Sequence, residues 1–254
     1  MSIKKLGAVL VAALALAAIG ASSASAAVET HAVQWYTGTT AAGVTTLTGD
    51  TAVTARSNGV AHLTGILNGQ EYDLSTEEIE CVGCQITNEE VTGKAGKVAI
   101  GKGQIMFKNV QMTKPGPGKC TVNGITSGGE SEAAGTVTTR PLTVHADWMD
   151  ANAANQHGFV QFLLQSGTVF VSLQIAGPEC PLAGKFNVTG SLFAESENNT
   201  AVMAKEQGLV FSAAVQTTTG ASLKLGPTNV TTLTGTAIFE TDELAGAKKF
   251  FGVK

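Results

Sequence analysis

The chain has 254 residues, a formal net charge of −4 and 16 basic against 20 acidic residues. No basic run is longer than two residues, as at Lys248-Lys249. Nucleic acid and an anionic membrane surface are therefore excluded as expected partners, because phosphate binding needs clustered Lys and Arg.

The first segment, MSIKKLGAVLVAALALAAIGASSASA, has three zones. Lys4 and Lys5 form a positive start, Leu6 to Ile19 an apolar stretch, and Ala24-Ser25-Ala26 a small-x-small cleavage site. This is the layout of a secretory signal peptide cleaved after Ala26. The apolar stretch is shorter than the roughly 20 residues of a membrane span. An alanine-rich leader with no lipobox cysteine points to a bacterial Sec substrate. Later apolar runs are all interrupted by polar or charged residues, so no transmembrane anchor is expected once the leader is removed. Residues 27–254 then carry 14 basic and 20 acidic residues, a net charge of −6, and are expected outside the cell as one large β domain.

The body reads as strands. Trp35-Tyr36 opens it as a strand-edge or core anchor. ILNGQEYDL places Asn68-Gly69 between two β-like runs, a hairpin signal. STEEIECVGCQITNEE sets a Cys-x-x-Cys between two strand-like flanks. GKAGKVAIGKG is rich in Gly and Lys but lacks the G-x-x-x-x-G-K-[ST] spacing of a phosphate loop. GQIMFKNVQM alternates through Ile105 and Phe107, breaks phase at Lys108-Asn109, and resumes at Val110 and Met112. KPGPGK at 114–119 is a loop. Gly128 to Gly135 is the best internal linker, so two β lobes meeting near 128–157 are the alternative organisation. QFLLQSGTVFVSLQIAG and ASLKLGPTNVTTLTGTAIFE alternate again, the latter on both sides of Gly226-Pro227. Helices are expected only at Ala151–Gln156 and Asp242–Lys249. VTTLTG occurs at 44–49 and again at 230–235, which a Thr-rich β composition explains without duplication. Many short strands with turn punctuation define an all-β fold, an antiparallel sandwich or a barrel-like sheet, stabilised by disulfides.

The cysteines are Cys81, Cys84, Cys120 and Cys180. An even number in an exported chain points to two disulfides. A thioredoxin-like dithiol needs a helix N-terminus to lower its thiol pKa, whereas CVGC sits between strands among Glu78, Glu80, Glu89 and Glu90. A structural zinc site pairs two close ligand couples, and Cys120 and Cys180 stand singly. Regular strand geometry disfavours a direct 81–84 bridge. The expected pairing is Cys84–Cys120 with Cys81–Cys180, although sequence does not choose among the three connectivities.

VHADWMDANAANQHG gathers His145, Asp147, Asp150 and His157 around Trp148. Such a loop offers acid–base groups or a ligand contact, and Trp148 a ring for stacking on a sugar. The spacing matches no metal motif, no G-x-S-x-G nucleophile element is present, and neither a cofactor nor a catalytic residue is assigned. A solvated inter-strand loop accounts for the same residues.

The WYTGTTAAGVTTLTGD opening, the IECVGCQITN segment with its later single cysteines, and the SLKLGPTNVTTLTG close resemble uncharacterised exported β-rich proteins of high-GC actinobacteria. The resemblance implies export and β structure and carries over no functional residue. The expected function is a secreted, non-catalytic protein with a surface-binding, adhesive or structural role, cell-wall or extracellular polysaccharide being its expected partner class. The alternatives are an extracellular carbohydrate-active hydrolase using carboxylates and the His145–His157 loop, and an exported thiol–disulfide protein acting through Cys81 and Cys84.

Overall fold

A computed structural model describes residues 31–91, 96–148, 158–197, 203–241 and 248–253. The leader lies outside these residues, as do the helix expected at Ala151–Gln156 and residues 242–247 of the other.

The described chain is all-β apart from one short helix. It begins with β1 (His31–Ala32), β2 (Trp35–Gly38) and β3 (Thr45–Thr46). The wall follows as β4 (Thr51–Ser57), β5 (Ala61–Leu67), β6 (Gln70–Thr76), β7 (Glu78–Glu90), β8 (Lys97–Lys108), β9 (Gln111–Lys114) and β10 (Thr121–Gly124). It continues as β11 (Val137–Thr138), β12 (Leu142–Trp148), β13 (Gly158–Leu164), β14 (Val169–Ala176), β15 (Gly184–Gly190), β16 (Leu192–Ser196) and β17 (Glu206–Phe211). Helix α1 (Ala213–Thr219), β18 (Leu223–Leu225), β19 (Asn229–Thr241) and β20 (Phe250–Val253) complete it.

Register joins these strands into a barrel. Along β19, Thr241 to Ala237 pair with Val53 to Ser57 of β4, and Thr234 to Thr231 pair with His62 to Gly65 of β5. β4 and β5 are thus one long stave, interrupted by extra residues at Asn58-Gly59. By the same reasoning β6 continues into β7, β8 into β9, and β15 into β16. The order β4-β7-β8-β12-β13-β16-β17-β19 closes on itself as an eight-strand antiparallel ring. A second ring extends the same staves as β5-β6-β9 on one side and β10-β14-β15-β18-β19 on the other. Among the described residues no ladder joins β9 to β10, so this ring keeps one seam. Of the two expected architectures, the barrel is the one formed. The Gly128–Gly135 segment joins β10 to β11 within its wall.

Local chemistry explains the turns. Asn68 (φ 53°) and Gly69 (φ 79°) form the β5–β6 hairpin with both central residues at positive φ, as a primed two-residue turn requires. The phase break after Phe107 is real: Asn109 has φ 50° and separates β8 from β9. The helix at α1 was not expected, because AAVQTTT is a poor helix sequence. Its ends supply what its interior lacks. The Ser212 hydroxyl accepts from the Val215 N–H, and Gly220 takes a left-handed C-terminal position at φ 66°.

The wall is apolar inside and polar outside. On β5 and β6, Ala61, Leu67, Tyr72 and Leu74 are buried, while alternation turns His62, Thr64, Asp73 and Ser75 outward. Elsewhere the outer face carries the ion pairs Arg56–Glu206, Lys102–Glu89 and Lys108–Glu80. A lipid-embedded barrel has the opposite polarity. No helix among the described residues is long and apolar enough to cross a membrane.

The disulfides are Cys81–Cys84 and Cys120–Cys180, which corrects the expected pairing. The expectation assumed regular strand geometry through CVGC, and β7 is not regular there. Val82 pairs with Gln104 but Gln85 with Lys102, so one extra residue bulges from the ladder. Gly83 takes φ 61° at the bulge, and the Cys81 and Cys84 Cα atoms come to 5.6 Å, within disulfide range. The facing residue must also be small: a Cβ on Gly103 would lie 2.8 Å from the Cys84 Cα. Cys120 immediately precedes β10 at the far end of the barrel and meets Cys180, in the β14–β15 connection, with Cα atoms 4.9 Å apart.

Candidate functional site

The lumen is not filled evenly. At the end of the second ring, Leu67, Tyr72, Val122, Ile175, Leu182 and Leu225 are all at most 2% exposed, and the core there is solid. Midway along the axis, Leu63, Ile105, Phe107, Phe211, Leu233 and Phe239 also point inward, yet they are only half-buried. They face a cavity of about 120 Å³ where the two rings meet. A second cavity of about 80 Å³ lies inside the first ring, walled by Val53, Cys84, Ile86, Val144, Val160 and Leu209 among others. Ile105, Leu142, Phe162 and Phe239 wall both.

The open end of the first ring is capped by a small sheet, β20-β2-β3. Trp35 and Phe251 pack there with ring centroids 6.3 Å apart, and both line the second cavity. The Trp35 indole N–H donates to the Ile100 carbonyl at 2.9 Å. Asn88, buried in β7, clamps the cap: its amide donates to the Trp35 and Leu47 carbonyls, each at 3.0 Å, and its oxygen accepts from the Trp35 N–H at 2.7 Å. Trp35 is thus the anchor that its sequence context indicated.

Polar side chains at the cavity wall are already engaged. The Thr76 hydroxyl donates to the Lys108 carbonyl, and the Thr139 hydroxyl accepts from the Ile105 N–H at 2.9 Å. His62 contributes only its backbone side, because its ring turns outward and meets Asp73 at 2.9 Å. Asp73 also accepts from the Thr113 hydroxyl at 2.8 Å. The Gln207 amide donates to the Phe251 carbonyl at 2.6 Å. Such a lining binds by excluding water.

Tyr72 closes the solid end. Its hydroxyl has no hydrogen-bond partner of good geometry among the described residues, and the neighbouring Thr231 hydroxyl donates instead to the Thr64 carbonyl at 2.8 Å. Burial pushes the phenol up to about 12, the nearby Thr231 opposing this only in part. The unfolded phenol ionises near 10 while the folded one stays neutral. The contribution is therefore fully present below pH 10 and lost as pH rises towards 12, by about 2 kcal/mol. Urea unfolding at pH 9 and pH 11.5 is expected to show this loss in the native chain and a smaller loss in Tyr72→Phe. Equal losses in both would remove Tyr72 as the cause.

The residues singled out in VHADWMDANAANQHG are not placed together by the described structure. His145 lies half-buried on the outer face of β12, paired in register with Ile100 and Gln161. Asp147 and Trp148 follow on the same strand, opposite Ala32 and His31 of β1. Asp150 and His157 fall outside the described residues. Sequence reasoning missed the lumen. Its signal was present, as large apolar residues at alternate positions of β8, β17 and β19, but the same signal describes any packed core.

Fold and site together define a class: a closed up-and-down antiparallel barrel, capped at one end and solid at the other, with an apolar space between. Beyond that class nothing more particular emerges, since no protein family, curated protein or solved structure matches the chain.

Proposed function

We propose that this chain is an exported, non-catalytic binding protein that holds a small apolar ligand inside its barrel. The observation that carries the reading is the row of inward-facing but half-buried side chains, Leu63, Ile105, Phe107, Phe211, Leu233 and Phe239. Protein interiors are normally packed to crystal density, and an apolar space bordered by six large side chains forfeits contacts that a guest restores. Eight-strand barrels are just wide enough to be filled by side chains or to hold one small ligand. Two disulfides and the leader sequence support an oxidising, extracellular setting. The outer surface, acidic overall and laced with exposed ion pairs, supports solubility there.

The test uses toluene as an uncharged probe. Saturating toluene is expected to raise the melting temperature of the mature protein and to shift the NMR methyl signals of Ile105 and Leu233 selectively. Leu233→Trp, which fills the central cavity, is expected to abolish both effects while leaving the protein folded by circular dichroism. If toluene leaves those methyl signals unmoved, the lumen is not a ligand site.

A further inference from the structure

We infer that the guest is an unbranched alkyl chain laid along the barrel axis rather than a compact ring. This rests on the reading of the barrel as a binding protein and names the class of its ligand.

Three observations lead there. First, the two cavities lie end to end with one layer of side chains between them: Ile105, Leu142, Phe162 and Phe239 wall both. Of these four, Ile105 and Phe239 are only half-buried, so they border empty space rather than a finished partition. Second, the cross-section is fixed by the closed ring while the long dimension is free. A ring of eight strands is just wide enough to be filled by side chains or to hold one small ligand. Each cavity by itself, at about 120 and about 80 Å³, takes only a small guest. Only a guest passing the Ile105–Phe239 waist makes use of both. Third, polarity is graded along the axis. The inward side chains of the central cavity are mostly apolar, its Thr76 and Thr139 hydroxyls bond to the backbone, and a polar group placed there without a partner costs several kcal/mol. Among the described residues Gln207 is the one polar side chain that turns into the second cavity near the cap, where it donates to the Phe251 carbonyl, whereas the Lys102 ammonium lies outside with Glu89. A polar end of the guest therefore belongs at the cap, and the hydrocarbon end at the ring junction.

The experiment is calorimetric titration of the mature protein with straight-chain primary alcohols of increasing length, with toluene as the compact reference. Affinity is expected to rise about fourfold per added methylene, the increment for burying one CH₂, and then to level off once the chain spans both cavities. Ile105→Phe, which narrows the waist, should move the plateau to shorter chains while toluene still binds. Ile105→Ala, which widens it, should move the plateau to longer chains. If toluene binds but affinity is flat with chain length, or the plateau ignores residue 105, the alkyl-chain inference is wrong and the lumen reading survives. If neither toluene nor any alcohol binds, both fail together.

Discussion

Replacing Cys120 and Cys180 with alanine is expected to lower stability by about 4 kcal/mol, and the same double exchange at Cys81 and Cys84 by about 2 kcal/mol, from the chain-entropy cost of the loops they close. The asymmetry comes from sequence separation, 60 residues in one case and 3 in the other. Position reinforces it. Cys120 immediately precedes β10, which is paired with β14 but has no ladder to β9 among the described residues. Its tether to Cys180 fixes that edge of the seam to the turn carrying Leu182, which is 1% exposed at the solid end of the core. Cys81 and Cys84 lie instead within β7, already held to β8 by continuous pairing on both sides of the bulge. Urea unfolding of both double mutants at one pH measures the difference. Peptide mapping before and after reduction checks the pairing independently, since a Cys81–Cys84 bridge stays within one short peptide. A larger loss at Cys81 and Cys84 than at Cys120 and Cys180 would contradict the proposed division of labour.

The local structure was legible wherever backbone chemistry is short-ranged. Asn68-Gly69, the break at Asn109 and the turn at Gly226-Pro227 all act through their own dihedral preferences, so four or five residues suffice to read them. Closure was not legible. It depends on pairs such as Thr231 with Gly65 and Val137 with Phe107, and alternation says which face is apolar without saying which strand lies beside which. That is why sandwich and barrel remained level. The disulfides show the same boundary. The CVGC bulge depends on Gly103, nineteen residues on from Cys84, leaving room across the ladder. The lumen was hidden for another reason. Phe107, Phe211 and Phe239 alternate like any core residues, and only the assembled ring shows that they lack neighbours on one side. His145, by contrast, drew attention through its type and lies on the outer face of a strand.

Gly235→Ala is expected to destabilise the protein by about 3 kcal/mol, combining backbone strain of roughly 1–3 kcal/mol with a backbone clash. Among the described residues β19 is the one strand that runs unbroken through both rings, and Gly235 stands where it leaves one for the other. Residues Asn229 to Thr234 pair with β18 and β5, and residues Gly235 to Thr241 with β17 and β4. Gly235 sits at this change of partners with φ 134°, a region that side chains rarely adopt. Space is lacking as well, because a Cβ there would lie 2.8 Å from the Ala61 Cα. That neighbour is main chain in β5 and cannot swing aside as a flexible side chain would. Gly49→Ala is the control, since a Cβ at Gly49 meets nothing within 4 Å and the residue is not at positive φ. Its stability should match the native chain. Gly235 also lines the central cavity beside Leu233 and Ala237. Displacing β19 at this point shifts two of the cavity's walls together, so toluene binding should weaken along with stability. A Gly235→Ala protein as stable as the Gly49→Ala control would mean that the two rings are not hinged at this residue. If it were destabilised but still bound toluene as tightly as the native chain, the strand crossing and the cavity would be separate features of the barrel. Loss of both together ties the architecture of the wall to the space it encloses.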